Sequence, residues 1–533
     1  MSKTASTELF QLIQSLNPTE KRYLKKWLSF SAATGKGKMI ELFNLIVKQS
    51  RNSRDPSSSP QQIRPLADGG KEYNESQLKQ QGNYSNQQIA DLKRILYLNL
   101  LYGLDDYHAA RTIAGQLRRL LSYIENLFQR GLYDQSQKIL CKAKKLAYQY
   151  EEHIYLLEIL NWERKLMRTK NLSGVNNEQL KNLKQEGTTI VKKYSSEYKY
   201  EWDYISLLNY HYRHVTERHP GKIKSLRQWK NNLYVGNKSK AASFKELLYH
   251  NSSNVIYYAL KNEHEKGSHY LKKNLELFRS NPVQIQANEQ IYLITLVNFC
   301  LTLLPAKQYD EVYENIQLIK QISPKTEHTS NLKFIWLCQI ETDYYNVTGQ
   351  FEKGAQLEYI AQLGSRKFEN KIPNTKIFNL YYSLAYLFFG NENYSKALKA
   401  INLILNHLTS DNIQVDLQCR ARLFAIIIHY ELGNLDLLDY FIKSTHSFLL
   451  KNERLFEFEK TIIHFFRTKF LKINFQNKKK ANMAFTALYN ELGRMKKNPL
   501  EETAMAYVDY ESWLESKIKN RLFGEIVREK AKK

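Results

Sequence analysis

Apolar residues recur at intervals of three and four along most of this chain, which is the spacing of one face of an α-helix. The clearest stretch contains Ile113, Leu117, Leu120, Leu121, Ile124, Leu127 and Phe128. After a break at 131–134, a second stretch turns Ile139, Leu140, Ala143, Leu146 and Ala147 to one side. The pattern predicts an antiparallel helix hairpin near 113–150, with the small Ser136 where the two helices approach closely.

The same hairpin pattern recurs later in the chain. A large apolar turn residue stands at Tyr309, Phe351, Tyr394 and Leu435, at separations of 42, 43 and 41 residues, with a fainter copy at 263–267. One hairpin leaves an apolar face uncovered, so such units are stable only when several stack on each other. We therefore expect an all-α fold, an α-α superhelix or degenerate solenoid of antiparallel helix hairpins.

The sequence divides into five segments. Residues 1–49 read as an N-terminal helical module. Within it, Asn17 and Glu20 have the spacing of a capping box, and Pro18 occupies the first position of the predicted helix. Residues 50–85 read as a disordered Ser/Pro-rich linker, and 86–250 as helical hairpins that include the unit near 113–150. Residues 251–450 are predicted to form the repeat array. The C-terminal helices follow over 451–533, basic at first and then balanced in charge.

The hairpin turns resemble the tetratricopeptide repeat (TPR). The residues that carry this resemblance are Gly131, Tyr133, Asp134, Ser136 and Ala143, with a second match at Tyr394 and Ala397. The spacing is longer than the usual repeat, and Val312 and Leu438 replace the small residue in two copies. The start of the chain around 9–23, a late segment at 444–450 and the ending at 510–518 resemble uncharacterised bacterial TPR-like proteins with no assigned activity. The resemblance implies a TPR-like helical repeat fold and protein–protein interaction.

Composition excludes several classes of protein. The 533 residues are 43% hydrophobic and 25% charged, which is typical of a folded chain, and Gly (20) and Pro (10) are scarce, which favours long helices. The four cysteines form no CxxC pair, so we expect neither a disulfide framework nor a zinc site. This cysteine usage also predicts that the protein resides in a reducing compartment. The N-terminus lacks the apolar core of a signal peptide, and the stretch Phe378–Phe389 is too short to cross a bilayer. These features predict a cytoplasmic protein without membrane insertion.

Searches for chemistry find little. There is no phosphate-binding loop, no GxSxG elbow and no HExxH pair. His211, His214 and Glu217 share one helix face and could hold zinc, but they sit in what reads as a polar helix end. We therefore predict no catalytic residue, no cofactor-binding residue, no metal ligand and no enzymatic activity.

The net charge of +26 is the remaining lead. Residues 1–250 hold 41 basic and 23 acidic side chains, and 451–500 hold 12 and 4. The candidate partner contacts are Lys478, Lys479, Lys480, Arg494, Lys496 and Lys497. A second basic run contains His219, Lys222, Lys224, Arg227 and Lys230. Clusters of this kind attract phosphate backbones as well as acidic proteins.

Two functions are compatible with these observations. The first is a non-catalytic scaffold that binds a protein or peptide partner along stacked hairpins. The alternative is a nucleic-acid-associated or regulatory protein that uses the basic surfaces in 1–250 and 451–500, although no nucleic-acid-binding motif is visible.

Overall fold

The computed structural model describes residues 7–31, 36–52, 73–109, 111–169, 176–214, 243–261, 263–354, 357, 372–406, 412–470, 478–498, 501, 505 and 508–532. Every regular element in these ranges is helical, so the prediction of an all-α protein is confirmed. The chain divides into two compact units, Met1–Val175 and Asn176–Lys533. Within the described ranges, no helix is both long and apolar enough to cross a membrane.

The described residues of the first unit form eight helices. They are α1 (Glu8–Ser15), α2 (Pro18–Ser31), α3 (Lys36–Asn52), α4 (Glu75–Gly82), α5 (Asn86–His108), α6 (Ile113–Gln129), α7 (Tyr133–Gln149) and α8 (His153–Thr169). Helices α1–α5 enclose one apolar core, whose fully buried members include Ile13, Leu24, Leu28, Leu42 and Ile46. Helix α7 packs against both α6 and α8, and α8 also contacts α6.

Local sequence signals account for several of these boundaries. The backbone N–H of Glu20 donates to Asn17 Oδ1 and that of Asn17 donates to Glu20 Oε2, both at 2.9 Å, so the predicted capping box is confirmed. Residues 75–82, assigned to the linker from sequence, form α4 instead. Asn74 caps its start, and its single apolar residue, Leu78, is buried in the core of the first unit. One buried leucine in a polar stretch has no periodicity, which is why the sequence pattern missed this helix.

The second unit contains sixteen α-helices and one π-helical turn among its described residues. They are α9 (Asn177–His214), α10 (Phe244–Leu260), α11 (His264–Ser280), α12 (Pro282–Ala287), α13 (Glu289–Leu303), α14 (Tyr309–Gln321), α15 (Glu327–Thr348), α16 (Phe351–Gly354), α17 (Asn374–Gly390), α18 (Tyr394–Leu405), α19 (Asn412–Glu431), α20 (Leu435–Lys451), α21 (Glu457–His464), the π-helix Phe465–Phe470, α22 (Lys478–Met495), α23 (Tyr510–Lys519) and α24 (Phe523–Lys532).

The five turns singled out from sequence share one backbone geometry. In each, the residue two positions before the large apolar residue has positive φ, namely Gly131, Lys307, Gly349, Glu392 and Gly433. The next residue donates its backbone N–H to the carbonyl five residues earlier, as from Leu132 to Leu127 and from Asn393 to Phe388. This is the Schellman ending of a helix, which satisfies carbonyls that the last turn leaves without partners.

Two of the aromatic turn residues pack on the helix that precedes them. Tyr133 meets Phe128 and Tyr394 meets Phe389, each with ring centroids 5.3 Å apart in an edge-to-face arrangement. Ser136 is fully buried, and its hydroxyl donates to the carbonyl of Ile124 at 3.0 Å across the hairpin. A residue without a long side chain is therefore needed there for the two helices to approach.

Neighbouring helices pack in order along 244–451. Helix α10 packs on α11, α17 on α18 and α19 on α20, and each hairpin also contacts the next one. The first helices of consecutive hairpins contact each other too, as α13 contacts α15 and α15 contacts α17. A single apolar core runs through these helices and continues into the C-terminal ones.

Candidate interaction surfaces

The predicted contact lysines and arginine belong to opposite ends of α22. Lys479 and Lys480 lie exposed in its first turn, whereas Arg494 is in its last turn and Lys496 and Lys497 follow it, all exposed. The side chain of Lys478 lies outside the described residues. Fifteen residues at 1.5 Å each separate the two groups by roughly 22 Å along the helix axis. Lys496 also binds Glu511 through an Nζ–Oε2 contact of 3.1 Å, so it is partly neutralised.

The second basic run and two of the three candidate metal ligands lie outside the described part of the chain. Residues 215–242, including His219, Lys222, Lys224, Arg227, Lys230 and Glu217, lie outside the described residues, as does the side chain of His214. Among the side chains that are described, no group of three or more His, Cys, Asp or Glu residues is arranged to hold a metal ion.

The cysteines are free thiols. Cys141 is exposed, whereas Cys300, Cys338 and Cys419 are buried. Burial raises the pKa of each of these three thiols to about 12. A thiol that stays protonated at neutral pH is a poor nucleophile, so the three buried cysteines act as core residues.

A groove runs between α6 and α7 in the first unit, with a cavity of about 340 Å³. It is lined by Ala109, Gln116, Arg119, Leu120, Tyr123, Lys142, Lys145, Leu146 and Gln149. The sequence pattern assigned Leu120 and Leu146 to the buried hairpin core. Both are only partly buried and lie in the groove instead. They stand at the edge of the apolar stripe of each helix, where helical periodicity alone does not separate core from surface.

The groove is positively charged. Arg119 donates to Asp106 Oδ1 at 2.8 Å and is thereby compensated. Lys142 and Lys145 are exposed, and none of the described residues that line the groove is acidic. The whole hairpin 113–149 carries seven Lys or Arg residues against two Asp or Glu, so an acidic ligand is favoured at this surface.

An exposed apolar stripe follows the long helix α9 in the second unit. Val191, Tyr198, Ile205 and Tyr212 stand at intervals of seven residues and are 41–52% exposed, and Trp202 beside them is 50% exposed. The rings of Tyr198 and Trp202 contact each other edge to face at 6.1 Å between centroids. Seven-residue spacing keeps these side chains on one line along the helix, as in helices that pair side by side.

The opposite side of α9 is occupied by its own unit. Leu207 is fully buried and packs with Tyr257 and Leu260 of α10. Glu197 accepts a hydrogen bond of 2.8 Å from the Ser243 hydroxyl. Helix α9 is therefore apolar on two sides, one that its own unit buries and one that remains exposed. The seven-residue spacing was present in the sequence but was not recognised there.

The C-terminal strap, which we define as residues 510–532, crosses the hairpin ends of the repeat segment in reverse order. Trp513 Nε1 and Lys517 Nζ donate to Glu431 at the end of α19, at 2.6 and 2.7 Å. Further along, Phe523 meets Phe389 near the end of α17, with ring centroids 5.3 Å apart.

The last turn of the strap continues this order. Arg528 donates to the carbonyl of Gly349 after α15, with an Nη2–O distance of 3.2 Å. Lys307, after α13, donates to the carbonyl of Lys530 at 3.0 Å. The strap thus fills a surface that an open array would leave available to a partner.

Comparison with protein-family models and with curated proteins gives no match for this chain. The case for function therefore rests on the geometry of these surfaces.

Proposed function

We propose that this protein is a non-catalytic protein–protein interaction scaffold of the cytoplasm, built as a degenerate TPR-like solenoid of antiparallel helix hairpins. The observation that carries the function is the exposed apolar stripe on α9. Half-exposed Tyr and Trp side chains in a continuous line are unusual on a surface that contacts only water, and such patches mark interaction sites. Aromatic residues are also those that contribute most binding energy at protein interfaces.

The stripe is suited to an amphipathic helix of a partner protein. Val191 and Tyr212 are 21 residues apart, which corresponds to about 32 Å of helix. Side chains repeating every seven residues can insert between those of a second helix laid alongside. A flat sheet or a compact loop would contact only part of a line of this length.

The hairpin arrangement supports the solenoid part of the proposal. Five turns have the same Schellman geometry, and three successive turn separations of 42, 43 and 41 residues fall between 307 and 433. Each hairpin in this stretch packs on its neighbours in sequence. Repeated units that contact only adjacent units are the defining property of a solenoid.

A charge-substitution capture experiment tests the function. The full chain and a variant with Tyr198→Glu, Trp202→Glu and Ile205→Glu are used as baits in native lysate at low salt. We expect specific proteins to bind the original chain and to be lost from the variant, because carboxylates in the stripe would have to be desolvated on binding.

A matched control carries Lys192→Glu, Lys193→Glu and Lys199→Glu, which change exposed positions on the same helix but off the stripe. It should retain the captured proteins, and circular dichroism should show that all three chains are equally helical. Capture of no specific protein would contradict the scaffold function. Capture that is equal for all three chains would contradict the stripe as the binding site.

A further inference from the structure

We propose that the groove between α6 and α7 binds a short acidic, amphipathic helix of a partner protein. This inference rests on the proposed scaffold function and deepens it, because it gives the chemistry of one partner segment. The groove lies in the first unit and the α9 stripe in the second, so the two surfaces can be tested independently.

The shape of the groove fits a helix. Gln116, Leu120 and Tyr123 form one wall on α6, and Lys142, Leu146 and Gln149 form the other on α7. Each wall spans seven residues, or about 10 Å, which is two helical turns. Two parallel walls of this kind form the type of groove into which a third helix packs.

The floor of the groove supplies the apolar contact. Leu120 and Leu146 are partly buried there, and Tyr123 is 47% exposed at its edge. A cavity of about 340 Å³ lies at the lower end of the size range of ligand-binding pockets. One or two leucine-sized anchors of the partner helix would therefore be accommodated.

Helix α8 already packs against the opposite side of the α6–α7 hairpin and illustrates the contacts that this hairpin makes with a third helix. There α8 packs against α6 and α7: Glu163 accepts from Lys144 Nζ at 2.8 Å, and Trp162 packs on Phe128 with ring centroids 5.5 Å apart. An acidic and an apolar residue of one helix thus meet a lysine of α7 and an apolar residue of α6. The groove offers the same pair of partners to a helix from outside, with Lys142 and Lys145 as cations.

The positive charge of the groove favours an acidic partner helix over a basic or a neutral one. Lys142 and Lys145 flank the apolar floor, the described lining of the groove contains no acidic residue, and Arg119 already binds Asp106. A basic helix would be repelled, and a neutral one would leave both lysines to be partly desolvated without compensation. Glutamates or aspartates beside the apolar anchors satisfy both lysines.

Fluorescence anisotropy with synthetic helical peptides tests the proposal on the full chain. The probe is a labelled, alanine-based peptide of about 15 residues, with leucines on one face and glutamates on either side of them. We expect saturable binding that weakens at least tenfold when the leucines are replaced by alanine. Binding should also weaken at least tenfold in the variant K142E/K145E, because both attractions become repulsions.

The matched control is K192E/K193E, which makes the same change in net charge at two exposed lysines of α9. It should bind the peptide as the original chain does. Equal weakening in both variants would overturn the proposal by showing a general attraction to a basic protein. So would unchanged binding of the alanine peptide, or tighter binding of an oligothymidine that is lost in K142E/K145E.

The two proposals fail separately. If no peptide binds while the α9 stripe variant loses its captured partner, the groove proposal is wrong and the scaffold function stands. If the peptide binds as expected but lysate capture yields no partner of the stripe, the acidic-helix site remains and the role given to α9 is wrong.

Discussion

Gly349 has a left-handed backbone conformation at a helix end and also lies in close contact with the C-terminal strap. Its φ is +68°, and a Cβ placed on it would lie 2.8 Å from the backbone nitrogen of Arg528. Gly433 occupies the equivalent turn position at φ +70° with nothing within 4 Å of such a Cβ. The two glycines therefore share the conformational requirement and differ only in the contact with the strap.

Alanine substitution at these two positions separates the two effects. Gly433→Ala should lower the free energy of unfolding by about 1–2 kcal/mol, the cost of a side chain in the left-handed region. Gly349→Ala should cost more, by about 1–3 kcal/mol, because the strap must also shift. Urea unfolding of both variants measures the difference. Equal losses would contradict the close contact between Gly349 and Arg528.

Asp343 is a partly buried carboxyl on α15 that contributes a pH dependence. Burial raises its pKa to about 6, although hydrogen bonds from Ser383 and Gln339 to the carboxylate oppose this. Between about pH 4 and pH 6, the Asp343 carboxyl is therefore protonated in the folded state and ionised in the unfolded state. The contribution of this residue to stability falls as pH rises from about 4 to 6, and the penalty is complete above that range.

Asp343→Asn should remove this penalty while keeping an oxygen that accepts hydrogen bonds. We expect the variant to be more stable than the original chain by ~1–3 kcal/mol at pH 7.5. The gain should be clearly smaller at pH 4.5, where the folded carboxyl is already neutral. Urea titrations at the two pH values test this, and a gain that does not change with pH would rule out the titration of Asp343 as its cause.

At the scale of elements, the C-terminal strap holds the hairpin ends together. Phe523 is 4% exposed and packs against Phe351, Tyr386 and Phe389. The neighbouring Leu522 is 53% exposed. These contacts join residues more than 130 positions apart in the chain, so they stabilise the array by long-range packing rather than by local helix propensity.

Phe523→Ala should destabilise the second unit by about 3–5 kcal/mol, because it leaves a cavity among three aromatic rings. Leu522→Ala is the matched control and should change stability by less than ~0.5 kcal/mol. Thermal or urea unfolding followed by circular dichroism measures both. A small effect of Phe523→Ala would mean that the strap is not part of the cooperative core.

At the scale of the whole molecule, the net charge of +26 comes from residues 1–250 and 451–500, and the described basic candidates of the second region are divided between the two ends of α22. The exposed candidates Lys479 and Lys480 are at one end of α22, and Arg494 and Lys497 are at the other. Contact with nucleic acid through these residues stays a hypothesis. Their separation along the helix makes base-specific recognition by this group unexpected, because specific readout needs side chains gathered at one groove.

We therefore predict that any binding to duplex DNA is independent of sequence and strongly dependent on salt. Affinity at ~50 mM salt should fall by about 10³-fold or more by ~200 mM if six or more phosphates are contacted. Mobility-shift titrations with two unrelated duplexes at both salt concentrations test this. Binding that discriminates between the duplexes and survives at the higher salt would favour the nucleic-acid function over the scaffold.

Local pattern predicted much of the helical structure. The hairpin at 113–150, the capping box at Asn17 and Glu20, and the buried Ser136 all follow from interactions within about 20 residues of sequence. The pattern failed at α4, where Leu78 is the single buried apolar residue, and at Leu120 and Leu146, which it placed in the core. In both cases burial depends on which other element covers the residue: α3 and α5 cover the helix around Leu78, whereas Leu120 and Leu146 are only partly covered by the described residues.

The sequence by itself determined that this protein is helical, because three- and four-residue periodicity specifies a helix and the Schellman turns need only local hydrogen bonds. It also contained the seven-residue spacing on α9, although not whether that line is covered. Only the tertiary structure decided which surfaces are taken and which are open. The strap fills the hairpin ends, the α9 stripe stays exposed, and Lys142 and Lys145 flank a groove, since burial depends on contacts between residues far apart in the chain.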